Sequence, residues 1–339
     1  MGNKKICQFQ KGETIQGFYL IKSVSLKTTV SNSRYVDFTL ADRTGEINAK
    51  LWDYSGDNEL EFSEGSLIKV RGVITEWQNQ LQLKIDRIRK PVEADGVRPE
   101  DFVPTAPHEP EDMLGEIIKV MVGMKNRDLR EIVSYILNEK KEKLLYYPAA
   151  KSNHHALRSG LLYHITTMLK AAERIWEIYP FLDRDLLYAG VILHDMAKLD
   201  EMDADELGIV TDYTKEGMLL GHIIQGIKLI EEAGRRVGAQ EESVLLLQHM
   251  ILSHHYEPEF GSPKRPMIPE GEMLHYLDIL DARMYDMKKH LESVERGSFS
   301  EKVWLLHNRK LYRADLKDEE ENGSLSSSHD EGYAQKLVD

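Results

Sequence analysis

The stretch Leu186–Lys198, LLYAGVILHDMAK, runs through eight mostly apolar residues and then stops on two ionisable side chains, His194 and Asp195. An apolar run of that length suits a buried helix and falls far short of the roughly 18–20 residues that a bilayer span requires. Ionisable groups at the end of a buried helix are costly unless something pairs with them. The rest of the chain must therefore supply partners for this His-Asp step. A second such step, His329-Asp330, lies in a polar, Ser-rich tail and reads as accidental.

Around this run the hydrophobic period is helical. Segments 113–122, 129–143, 155–178, 183–196, 222–236, 241–253 and 271–289 place apolar residues at i, i+3, i+4 spacing, and Ser298–Tyr312 is expected to add one more helix. Further upstream, five of the eleven prolines (Pro91, Pro99, Pro104, Pro107 and Pro110) crowd into twenty residues, and none precedes them. Locked φ angles and missing N–H groups make 91–111 an extended linker. Before it the period is two: Gly17–Lys27, Arg34–Leu40, Glu46–Asp53, Leu67–Thr75 and Leu81–Ile88 read as strands, separated by turn residues. Five strands without a helical segment suggest a small all-β barrel. The reading is thus multi-domain: a barrel over 11–90, the linker 91–111, an all-α helical domain over 112–315, and an acidic tail over 316–339 expected to be disordered.

The 339 residues carry a net charge of −13, a 41% apolar content and one cysteine, Cys7. This composition excludes collagen-like, wholly disordered and disulfide-framework classes, as well as multi-Cys zinc sites. The N-terminus has no signal-peptide apolar core, and Ile6 stands where a myristoylation start would have Ser or Thr. The expectation is a soluble protein of a reducing compartment that does not engage a membrane. The charge is uneven: residues 11–90 sum to +1 and 316–339 to −5. The barrel is therefore free to present a local basic face to nucleic acid.

Thirteen histidines are present, and their placement is what matters. His164 shares an apolar face with Leu157, Leu161, Met168 and Ile175. His194 and Asp195 end the apolar run, His222 opens the next helix, His254 and His255 close the one after, and Asp278 shares a face with Leu274 and Asp281. The intervals from His164 to His194, His222, His254 and Asp278 are 30, 28, 32 and 24 residues, each about one helix plus its connection. Each helix can then offer one ligand to a shared cation, and imidazole and carboxylate suit Mn²⁺, Fe²⁺, Co²⁺ or Zn²⁺. Any single histidine is explained as well by ordinary core packing; the whole set is not. His249 and His275 read as packing neighbours. His108, His290 and His307 read as structural or surface residues.

The pattern His…His-Asp…His…His-His…Asp, with HDMAK at its centre, resembles the HD-domain phosphohydrolases. The stretches HHALRSGLLYH, SHHYEPEFGSPKRP and MLHYLDILDARM behind a β-barrel are similar, more narrowly, to YhaM-type 3′-5′ exoribonucleases, in which an OB-fold precedes the HD domain. That resemblance implies one metal on His164, His194, Asp195 and Asp278. Asp195 would bridge to a second metal on His222 and His254, with His255 beside it. Asp281 competes with Asp278 on spacing alone, and the family pattern favours Asp278. His154 and His155 would contact substrate phosphate or simply sit at a helix start. The family also implies 3′-to-5′ polarity, 5′-mononucleotide products and a bacterial cytoplasmic setting. The tail has no counterpart in this picture.

Two divalent ions, Mn²⁺ being the first choice, would acidify a water and clamp the attacking and leaving oxygens of a phosphodiester, so Asp195 is a catalytic candidate without any Ser or Cys nucleophile. Lys198, one turn beyond Asp195, is the natural cation for a phosphate oxygen, or else an exposed lysine at a helix end. Arg158 has a similar claim, and Lys264 and Arg265 would line the entrance or serve solubility. On the barrel, Tyr35, Trp52 and Trp77 are candidates for base stacking, and Arg34, Lys50, Lys69, Arg71 and Lys84 for phosphate contacts. Single-stranded RNA is the expected partner, with single-stranded DNA also open, since the chemistry needs no 2′-hydroxyl. A homo-oligomer is compatible with the sequence. The alternatives are a small-nucleotide phosphohydrolase with a regulatory barrel and a non-catalytic RNA-binding module.

Overall fold

The computed structural model describes residues 3–29, 32–55, 61–78, 80–151, 155–205 and 207–316. The expected disordered tail lies outside them, apart from Leu316. Five strands form the first module: β1 (Thr14–Thr28), β2 (Arg34–Asp42), β3 (Gly45–Leu51), β4 (Leu67–Trp77) and β5 (Gln80–Arg89). They close into a barrel in the order β1-β2-β3-β5-β4, with β3 and β5 parallel and the other pairs antiparallel. The alternation explains the closure. On β4, Ile68, Val70 and Ile74 point inward, while Lys69, Arg71, Val73 and Thr75 do not. The inward set meets Ile21, Val36, Phe38, Leu40, Leu83 and Ile85 in one core, each such side chain contributing about 1.5–3 kcal/mol by burial.

Gly72 is required by a close approach rather than by its own torsions. A Cβ there would stand 2.1 Å from the Lys84 carbonyl oxygen across the ladder. A one-residue irregularity in the pairing lies at the same point, between Arg71 and Gly72.

The proline-rich segment makes short 3₁₀ turns at Glu93–Asp95 and Pro99–Phe102. The Arg89 guanidinium grips the Asp95 carboxylate through two contacts of 2.7 and 2.8 Å. Beyond the turns, Phe102 and Val103 are buried together with Leu20 and Leu67 of the barrel and Leu207 of the helical module. The backbone of Thr105 pairs with that of Arg158, just before the third helix.

The second module is built from α1 (Pro110–Val122), α2 (Arg127–Leu144), α3 (Gly160–Ile178), α4 (Arg184–Leu193), α5 (Lys198–Glu201), α6 (Lys215–Val237), α7 (Glu241–Ser253) and α8 (Pro269–Leu291). Asn126, Asp183 and Thr214 cap α2, α4 and α6 by accepting a backbone N–H in the first turn. The third helix begins at Gly160 rather than 155, because His155 and Ser159 both hold positive φ, which a helix of L-residues does not tolerate. A small hairpin of β6 (Met202–Ala204) and β7 (Val210–Tyr213) follows α5.

Residues from Arg283 onward form a separate compact unit. The helix expected over Ser298–Tyr312 is instead a hairpin of β8 (Ser298–Val303) and β9 (Arg309–Arg313). The reason is local. His307 and Asn308 both take left-handed torsions (φ 58° and 56°), a pair that closes hairpin turns and ends helices. Val303, Leu306 and Leu311 then pack with Met287 and Leu291.

Gly72→Ala should destabilise the barrel by about 1–3 kcal/mol, since the added carbon has only backbone to displace. Denaturant titration followed by tryptophan fluorescence is the check, and an unchanged midpoint would contradict the close strand approach.

Candidate metal centre

The centre is assembled by helix ends. Residues Leu186–Leu193 of α4 are all buried, and the helix stops at His194. Helix α7 stops the same way at His254. The two helices lie so close that a Cβ on Gly190 would stand 2.2 Å from Met250 Cε, and this brings the His194 and His254 rings to 5.3 Å. Helix α6 is broken at Gly221 (φ 68°, ψ 167°), torsions that glycine adopts without cost. The break frees the His222 backbone N–H, which donates to Glu201 Oε1 at 3.1 Å.

Each imidazole is fixed through its Nδ1. That atom donates to Asp281 Oδ2 in His164 (2.7 Å), to the Val191 carbonyl in His194 (2.8 Å) and to the Ile251 carbonyl in His254 (2.7 Å). In His222 it donates to Glu201 (3.2 Å) and in His255 to the Phe260 carbonyl (2.6 Å). An oxygen acceptor at Nδ1 leaves the lone pair on Nε2, the arrangement that metal-ligating histidines use.

The Nε2 atoms fall into two groups around one carboxylate. His164 Nε2 stands 3.3 Å from His194 Nε2 and 3.3 Å from Asp278 Oδ1, while His194 Nε2 lies 3.4 Å from Asp195 Oδ2. On the other side, Asp195 Oδ1 faces His222 Nε2 at 3.6 Å and His254 Nε2 at 3.8 Å. The donor atoms of Asp195, His222, His254 and His255 all lie within 4.8 Å of one another, as do those of His164, His194 and Asp195. Asp195 Oδ1, His222 Nε2 and His254 Nε2 are buried and make no hydrogen bond. Buried polar atoms are almost always satisfied, so three orphans converging on one point fit a divalent cation.

The electrostatics agree. Burial pushes His254 and His255 down, which keeps them neutral. Burial opposes the cation of His164 too, but the hydrogen bonds it donates to Asp278 and Asp281 outweigh it and raise that imidazole to about 9. Burial likewise opposes ionisation of Asp195, yet Lys198 and His194 hold it well below the usual carboxylate range. These clusters have the donor set for a divalent cation.

Of the other residues singled out in the sequence, Lys198 reaches the centre, its Nζ 2.7 Å from Asp195 Oδ2. Asp281 does not face the Nε2 group. It accepts from both His164 and His155, the latter through Nε2 at 2.7 Å. His155 therefore stands behind the cluster; His154 lies outside the described residues. Arg158 lines a cleft of about 480 Å³ shared by the barrel and the helical module, together with Lys22, Arg43 and Lys151. Arg265 pairs with Glu257 and lies over the Tyr256 ring, and Lys264 is exposed beside it. His275 donates to the His254 carbonyl (2.8 Å) and His249 accepts from Met267 N (2.8 Å). Sequence reasoning missed Glu201 because nothing local links it to His222; the β6–β7 hairpin between them makes the contact. The link from Asp281 to His164 left a faint trace, one turn beyond Asp278.

On the barrel, Tyr35 and Trp52 are stacked, their centroids 4.7 Å apart, and Lys50 Nζ lies 5.3 and 5.4 Å from the two rings. Trp77 stands apart at the β4–β5 turn and is 66% exposed. No helix among the described residues is long and apolar enough to cross a membrane.

This combination defines an OB-fold barrel joined to an HD domain. Residues 20–91 match the OB-fold nucleic acid binding domain and residues 161–283 the HD domain. The chain is 42% identical to the 3′-5′ exoribonuclease YhaM of Geobacillus sp. (strain WCH70) over 91% of its own length and 95% of the relative's. It is 41% identical to that of Bacillus subtilis (strain 168), over 91% and 98%. The chain belongs to the YhaM family of 3′-5′ exoribonucleases.

Replacing Glu201 by Ala removes the acceptor that orients His222. Affinity for a divalent cation should fall about 10–100-fold, measured by calorimetric titration of metal-stripped protein.

Proposed function

We propose that this chain hydrolyses single-stranded RNA from the 3′ end to nucleoside 5′-monophosphates, using two divalent cations, Mn²⁺ in the first instance. The observation that carries the reading is the division of Asp195: one oxygen belongs to the His164–His194–Asp278 group and the other to the His222–His254 pair. In this reading His164, His194, Asp195 and Asp278 hold one cation, and Asp195, His222, His254 and His255 hold the other. When bound, such a pair supplies an acidified water and neutralises the phosphodiester.

The chain's own residues do the rest. Asp281 and Glu201 keep the Nε2 lone pairs of His164 and His222 aimed inward. Lys198 orients Asp195 and adds positive charge where a phosphate arrives; its side chain is only 13% exposed, which confines that charge to the centre. His155 supports Asp281 rather than meeting substrate. The Tyr35–Trp52 pair offers a stacking surface with a cation beside it, suited to bases and phosphates of a single strand. Arg158 would meet the strand between the two modules, with Lys264 and Arg265 at the rim. Nothing in this set demands a 2′-hydroxyl, so single-stranded DNA is proposed as a second substrate. Residues 11–90 would thus hold the strand, 91–111 connect, and 112–315 carry the chemistry, in the cytoplasm.

A 5′-labelled oligoribonucleotide with Mn²⁺ should shorten stepwise from its 3′ end, and chelator should stop it. Asp195→Ala and His194→Ala should each lower the rate on the order of a thousandfold or more, several kcal/mol of barrier, with RNA binding retained. An unshortened strand under every divalent metal would overturn the proposal. Trp52→Ala should weaken binding of the strand by about 1–3 kcal/mol in a fluorescence anisotropy titration.

A further inference from the structure

The outer face of β1, β4 and β5 carries a concentration of cations that neither the metal centre nor the Tyr35–Trp52 surface uses. Two cross-strand rows lie side by side there. Gln16, Arg71 and Arg87 are in register, and so are Phe18, Lys69 and Arg89. Gln16, Lys69, Arg71, Arg87 and Arg89 line a shallow depression of about 360 Å³. Lys69 and Arg89 share the carboxylate of Asp95, and the Lys69 ammonium lies 4.8 Å over the Phe18 ring. Arg71 and Arg87 make no salt bridge among the described residues, although they face each other directly across the ladder. Like charges in that position destabilise a sheet.

The pairing irregularity creates this opposition. From Gly72 toward the turn, β4 and β5 pair as Gly72↔Ile85 and Val73↔Lys84; past it they pair as Arg71↔Arg87 and Val70↔Ile88. Asp86 is the extra residue. Had the first register continued, Asp86 would oppose Arg71, Ile88 would oppose Lys69 and Arg87 would oppose the buried Val70; the bulge keeps Ile88 on the core side and sets Arg87 outside, beside Arg71. A bulge that re-aims side chains in this way is a feature to be explained by use. In barrel order β4 lies between β5 and β1, away from the β2 and β3 edge that carries Tyr35 and Trp52.

We propose that this face is a second binding site, for the phosphodiester backbone of single-stranded RNA, in which Arg71 and Arg87 each contact a phosphate without reading bases. It rests on the reading of RNA as substrate and deepens it: the strand engages the barrel on two sides, so a long strand gains contacts that a short one cannot reach.

The test compares full-length wild type, R71Q/R87Q, R71K/R87K and W52A by fluorescence anisotropy. The probes are labelled oligoribonucleotides of roughly 6 and roughly 24 nucleotides, chosen to bracket the span of one OB barrel, with chelator present to prevent hydrolysis. For R71Q/R87Q the long strand should bind about tenfold more weakly, and its log–log salt slope should shrink by about 1.4, about 0.7 per lost phosphate contact. The short strand should be unaffected, W52A should weaken both lengths, and R71K/R87K should keep wild-type affinity for both. An unchanged affinity and slope for the long strand, or equal losses at both lengths, would overturn the proposal. So would calorimetric binding of AMP or inorganic phosphate that R71Q/R87Q abolishes without any effect of RNA length, which would make this a free-nucleotide site. If wild type binds neither strand, it is the RNA reading itself that fails.

Discussion

Everything in the helical module turns on a single buried carboxylate. Asp195 sits 2% exposed just past the buried run Leu186–Leu193, where an unpaired charge would cost several kcal/mol. Its partners are brought there by four other helices: His164 from α3, His222 from α6, His254 from α7 and Asp278 from α8. The constraint runs outward from the carboxylate. For Nε2 to face it, each imidazole needs an oxygen at Nδ1. The fold supplies two main-chain carbonyls from the helix ends themselves and two carboxylates from elsewhere, Asp281 and Glu201. Helix termini are well suited to this, because their last carbonyls have no partner within the helix.

The barrel meets a different demand. Its interior is closed by simple alternation, and its chemistry lies outside, where stacked rings and cations are held by strand register. The Gly72 contact and the bulge beside it show how finely that register is set. One residue of slippage would turn Ile88 out of the core and set Arg87 opposite the buried Val70. The burial of Phe102, Val103, Leu20, Leu67 and Leu207 in one cluster then joins barrel and helical module.

Much of this was legible in the residues. Period-two and period-3.6 segments separated barrel from helices, and the near-equal intervals between His164, His194, His222, His254 and Asp278 pointed to one centre. Those signals survive because they depend on local geometry repeated many times. What escaped depends on single contacts. Glu201 reaches His222 across a hairpin that no periodicity announces. The shortened start of α3 depends on positive φ at His155 and Ser159, residue types with no strong preference for it. Ser298–Tyr312 carries apolar residues at spacings that fit a helix or a hairpin, and only the His307-Asn308 turn decides between them. The bulge at Asp86 is invisible until β4 and β5 are paired.

In the proposed function Asp195 is shared between two cations. Crystals grown with Mn²⁺ and measured by anomalous scattering would test it most directly. Two peaks are predicted, one among His164, His194, Asp195 and Asp278, the other among Asp195, His222, His254 and His255. A single peak that leaves one Asp195 oxygen unligated, or no peak in the cluster with Mn²⁺ at saturating concentration, would contradict the account.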